Sequence, residues 1–121
     1  MILLLILLLL TKHTIADYVL QGIRKYEYSS KGRYGSWHGV EHALTHAIGT
    51  GICFAIVGLN PFGILTYSIL DGILHYHIDW LKVNINRVYG WTSKQMAYWV
   101  LFGADQYLHM LTYLLLVYLF V

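Results

Sequence analysis

The chain has 121 residues, of which 58% are hydrophobic and 12% charged, with a formal net charge of +2 and a mean hydropathy of +0.56. A soluble domain carries about 25% charged residues, and one this small could not hide so much apolar surface, so the composition argues against a water-soluble domain and for a membrane. The low net charge, with no basic block or aromatic stacking signature, leaves nucleic acid out as a partner, and Cys53, alone in the chain, excludes an intramolecular disulfide framework and a thiolate zinc site.

Four apolar stretches follow in order. The first covers residues 1–23 and is interrupted by Lys12, His13 and Asp17; its start, Met1-Ile2-Leu3-Leu4-Leu5, lacks the basic opening of a signal peptide, so a retained helix is expected. The second, 36–59, stops at Asn60-Pro61, a pair that favours a turn. The third, 61–86, opens with Pro61 at a suitable first helical position, and the fourth, 93–121, follows the capping-box pattern Thr92-Ser93-Lys94-Gln95. Each is long enough to cross a ~30 Å hydrocarbon core at about 1.5 Å per residue. The expectation is an all-α fold: one transmembrane domain over residues 1–121, a four-helix bundle running up-down-up-down.

Loop charge orients it. Arg24, Lys25, Lys31 and Arg33, against Glu27, lie between the first two helices, and Lys82, Arg87 and Lys94 around the link between the last two. By the positive-inside rule both basic loops are expected in the cytoplasm and both termini on the other side of the membrane, in bacteria the inner membrane.

Each stretch carries two metal-ligand-type residues four apart: His13 and Asp17, His42 and His46, His75 and Asp79, Asp105 and His109. Residues four apart in an α-helix differ by about 40° around the axis and about 6 Å along it, so each pair projects from one face. Ionisable groups in an apolar chain are costly unless something pairs with them, and a metal does so economically. In an alternating bundle all eight fall in the cytoplasmic half, with His13, His46, His75 and His109 in a deeper layer and Asp17, His42, Asp79 and Asp105 in a shallower one. Eight candidates exceed what one tetrahedral ion needs and suit two divalent ions, zinc first, with iron or manganese compatible with the same ligands. Asp71, Glu41 and His38 flank the pairs, and His77 faces away. Gln21, Lys82 and Gln106 lie near the cytoplasmic boundary, where they are candidates for binding substrate.

The motifs His13-x3-Asp17-Tyr18-x2-Gln21, His42-Ala43-Leu44-Thr45-His46, His75-x3-Asp79-x2-Lys82 and Asp105-Gln106-x2-His109 resemble, in order and over nearly the whole chain, those of the small bacterial and phage membrane-protein family catalogued as domain of unknown function 3307. More distantly, the histidine-rich helices resemble inner-membrane proteins described as membrane-bound metal-dependent hydrolases. That second likeness implies metal-assisted hydrolysis of a phosphoester or lipid head group, with Asp17, Asp79 or Asp105 accepting a proton from water and Lys82 receiving substrate phosphate. Two alternatives stand beside it. Di-iron oxidation also uses histidine-rich helices, although usually with adjacent histidines, absent here. A non-enzymatic metal- or proton-handling protein would carry ionisable residues through the full depth, whereas residues 1–10 and 111–121 are almost wholly apolar. The sequence leaves the oligomeric state open.

Overall fold

A computed structural model describes residues 1–24 and 31–121, which form four helices and, among the described residues, no strand. Lys25 and Glu27 of the first basic loop lie outside the described residues. Helix α1 is continuous but not uniform: α-helix over Ile2–Thr14, π-helix over Ile15–Leu20 and α-helix again over Gln21–Arg24. The wide turn is closed by the Gln21 amide donating to the Ala16 carbonyl five residues back, which inserts one extra residue into the helix at the point where Asp17 projects.

Helix α2 spans Trp37–Ile56 and stops three residues before its expected end. Gly58, at φ 82°, takes the left-handed position, with its amide on Ala55 O at 3.0 Å and that of Leu59 on Phe54 O at 3.1 Å, a Schellman closure. Asn60 then caps α3, Pro61–Tyr89, its side chain accepting from the Gly63 amide at 3.0 Å. Helix α3 runs three residues past the expected 86 because its stop signal is Gly90, at φ 64°. Helix α4 is Met96–Phe120. The capping-box residues lie outside it: Gln95 Oε1 accepts from the Thr92 amide at 2.6 Å, but Gln95 has extended dihedrals, so the motif builds the turn that leads into the helix.

Successive helices pack as neighbours and α4 returns to α1. Their contacts are antiparallel: Thr50, late in α2, meets Asp71, early in α3, and Lys82, late in α3, meets Asp105, early in α4. One end of the assembly is apolar, built from Leu5, Leu9, Cys53, Phe54, Leu116 and Val117. At the other end the buried side chains are mainly histidine, aspartate and lysine. Outward faces are apolar on every helix, as in the four-apart rows Leu44, Ile48, Ile52, Ile56 on α2 and Leu65, Ile69, Ile73 on α3. Two helices, Ile2–Ile23 and Met96–Phe120, are long and apolar enough to cross a membrane; α2 and α3 dilute their hydropathy with the polar residues they turn inward.

Candidate metal centre

The four-apart spacing does bring one face of each helix to the common interior. His13, His42, His46, His75, Asp79, Asp105 and His109 are all buried, and Asp17 is nearly so. His75 sits at the middle, its ring stacked 3.5 Å from that of His46 on one side and 4.0 Å from that of His109 on the other. The His13 ring lies 5.4 Å from that of His46 and 5.2 Å from that of His109.

Two groups have metal-ligand spacing, with ligand atoms within 4.8 Å of one another: Asp17, His42, His46 and His75, and His75, Asp79 and His109. In the first, Asp17 Oδ1 stands 3.0 Å from His42 Nε2, 2.9 Å from His46 Nε2 and 3.7 Å from His75 Nε2. In the second, Asp79 Oδ2 is 3.2 Å from His75 Nε2 and Oδ1 is 3.3 Å from His109 Nε2. Ligands about 2.0 Å from a tetrahedral ion stand about 3.3 Å from one another, a value that these carboxylate–imidazole distances bracket.

Hydrogen bonding alone does not satisfy this set. The Nε2 atoms of His42 and His75 face each other at 3.2 Å, so one of them must accept. A neutral imidazole that accepts at Nε2 has no proton there for a carboxylate. Yet both atoms also point at carboxylates, His42 at Asp17 and Asp79, His75 at Asp79. Asp105 Oδ1 is buried without a hydrogen-bond partner, His109 Nε2 being 3.5 Å away. A cation held by the His42 and His75 nitrogens and the Asp17 and Asp79 oxygens resolves their conflict, so the donor set fits a metal.

His13 and Asp105 fall outside both groups, for a reason sequence spacing does not carry. His13 Nδ1 faces Tyr113 Oη at 2.7 Å while its Nε2 meets Gln106 Oε1 at 2.9 Å and Asp17 Oδ2 at 3.1 Å. An amide oxygen only accepts, so Nε2 carries the proton and His13 orients Asp17 and Gln106. Asp105 accepts from Lys82 Nζ at 2.9 Å and from Gln106 Nε2 at 3.1 Å.

Four residues of this interior were not among the sequence candidates. Lys12 ion-pairs with Asp71 at 2.8 Å and reaches Tyr113 Oη at 3.2 Å, with Thr50 also donating to Asp71 at 2.6 Å. Lys31, expected as a loop charge, is buried, its Nζ 3.3 Å from Asp79 Oδ2 and 2.9 Å from Gln21 Oε1. The visible signal was a lysine inside an apolar run, costly to bury without a charge partner; Tyr113 likewise sits four residues after His109 on the same face. Of the flanking residues, Asp71 is buried, Glu41 half-buried and His38 exposed, and His77 pairs at the surface with Tyr34 at 2.9 Å.

The family described as "Protein of unknown function (DUF3307)" matches residues 4–121. The chain belongs to this family. Its four motifs thus lie within a DUF3307 sequence whose described helices bring them to one buried centre. No curated protein and no solved structure matches the chain.

Proposed function

We propose that this DUF3307 chain is an integral membrane protein whose four helices cross the bacterial inner membrane up-down-up-down, with the basic loops cytoplasmic and both termini opposite, and that its centre is a two-metal hydrolytic site open to the cytoplasm. Support for the membrane comes from the inversion of polarity: apolar rows face outward on all four helices and ionisable groups inward, the reverse of a protein folded against water. The observation that carries the metal reading is the meeting of carboxylate and imidazole from all four helices at ligand spacing in two overlapping groups; His75 Nε2, with one lone pair, serves one of them, and when it joins Asp79 and His109 each group keeps three ligands.

A divalent ion held by these residues would lower the pKa of a water and polarise an ester oxygen. The chain's own part is then proton handling. Asp105, outside both ligand groups and with a buried, unpartnered Oδ1, is the carboxylate free to take the proton as the water oxygen bonds to the ester's central atom, and to return it to the leaving oxygen. Asp17 and Asp79 belong to the ligand groups and would hold the ion together with the imidazoles. The leucine- and phenylalanine-filled end favours a site entered from one side over a path through the protein.

Elemental analysis of the purified protein, with assays against phosphoesters and lipid head groups, tests this reading. Bound zinc, or iron or manganese, and turnover that a chelator abolishes and Asp17→Asn weakens are expected. A metal-free preparation, or turnover indifferent to chelation, overturns it; iron with oxygen-dependent turnover selects di-iron oxidation instead.

A further inference from the structure

Beside the ligand groups lies a cavity of about 70 Å³ lined by Tyr18, Gln21, Lys31, Lys82, Phe102 and Gln106, with Asp17 shared between its wall and the first ligand group. Two lysines from different segments enter it, and both are buried, which is rare for lysine unless a charge partner is present. Their partners are the carboxylates of the centre: Lys31 on Asp79 at 3.3 Å, Lys82 on Asp105 at 2.9 Å.

The charge of this region depends on whether metal is bound. Among the described residues, the carboxylates of Asp17, Asp79 and Asp105 stand against the ammonium groups of Lys31 and Lys82, and each divalent ion adds two positive charges to them. Uncompensated charge in a low-dielectric interior is costly, so a loaded centre demands an anion. The cavity is where one fits: two ammonium groups, two carboxamides and a phenol line it, a donor set suited to a tetrahedral oxyanion.

We infer that this cavity is a phosphoryl subsite that metal binding switches on. The positive charge that metal adds draws a phosphate group in, and Lys31 and Lys82 hold it against the ligand groups. The inference rests on the two-metal reading and deepens it by naming the part of the substrate that is bound, and it gives Lys31 a role alongside Lys82.

The test uses the full chain in phosphatidylcholine nanodiscs, loaded with zinc and freed of excess, or stripped with chelator, and titrated with inorganic phosphate. Phosphate is expected to bind the zinc-loaded protein and not the stripped one. Lys31→Gln and Lys82→Gln should each weaken it about tenfold while elemental analysis shows zinc retained, and Lys82→Arg should restore much of it. A second arm replaces part of the lipid with phosphatidic acid: competition with inorganic phosphate assigns the subsite to a lipid phosphate, and its absence assigns it to a water-soluble phosphate. Zinc bound without phosphate binding, or phosphate bound equally by the Lys31→Gln, Lys82→Gln double variant, overturns the subsite and leaves the metal centre standing. Phosphate bound equally by stripped protein overturns the switch. Failure to take up zinc overturns the metal reading and this inference with it.

Discussion

The two ends of the same four helices are held together by opposite means. At one end Leu5, Leu9, Phe54, Leu116 and Val117 fill the interior, and Phe54 stacks on Tyr67 at 4.6 Å and meets Phe120 edge-on at 5.6 Å. At the other, a connected set of imidazoles, carboxylates and ammonium groups does the joining. Tyr113 belongs to both, packing in the apolar cluster while its hydroxyl meets His13 and Lys12. The difference teaches that helix association alone needs none of the ionisable groups. Shape-complementary packing suffices at the first end, so the polar end answers another requirement, and binding an ion is the one its geometry fits.

Removing the residue common to both ligand groups breaks that comparison most severely. His75→Ala should lower zinc affinity by more than about a hundredfold, and Asp79→Ala nearly as much, as read by elemental analysis of protein that still folds. Equal metal loss from an apolar-end variant would show that metal content reports only folding.

Next in size is the layer between the ends. Lys12 and Asp71 are almost fully enclosed, and taking away one partner strands the other's charge, so Lys12→Met should cost about 3–5 kcal/mol in thermal unfolding. Adding Asp71→Leu should recover much of the loss, because the apolar pair resembles what the other end already uses. If the double variant is no better than the single one, Lys12 is held by more than its charge.

That layer is also where the sequence was least legible. Four-apart pairs reveal a helix face because the period is fixed, and Asn60-Pro61 marks a turn because of its chemistry; the four helices and their inward faces follow from those two facts. Lys12 reads only as an interruption of an apolar run. What admits it is Gly49 on the facing helix, where a Cβ would stand 2.5 Å from Lys12 Cγ, a long-range fit with no local sign. Lys31 reads as a loop charge because the chain that turns it inward is not periodic. The π turn at Ile15–Leu20 has no residue signature, and His13 matches the other histidines in spacing while Tyr113 and Gln106 set its tautomer.

Cutting into the apolar end should cost less than stranding a charge and should leave the metal in place. Leu9 is wholly buried in that cluster, and Leu9→Ala opens a cavity worth about 2–3 kcal/mol. Zinc content measured on the same sample should equal that of the parent. A variant that loses both stability and metal would mean that the two ends fold as one unit and that the contrast between them is only chemical.

The smallest effect sharpens the comparison by separating buried polar contacts from exposed ones. Gln95 Oε1 accepts from the Thr92 amide at 2.6 Å in a solvent-facing turn, a contact of the same chemical kind as Gln106 with His13 at 2.9 Å inside the centre. Water can replace the partner lost from the turn, so Gln95→Ala should cost about 0.5–1 kcal/mol and leave zinc affinity unchanged. Water has little access to the half-buried Gln106, and Gln106→Ala should leave His13 Nε2 with Asp17 alone, loosening the carboxylate that three imidazoles share and lowering zinc affinity by about tenfold. Zinc titrations on the two variants therefore separate them if depth sets the effect. Similar zinc affinities in both would mean that His13 and Gln106 do not orient Asp17, and that the first ligand group is positioned by its helices alone.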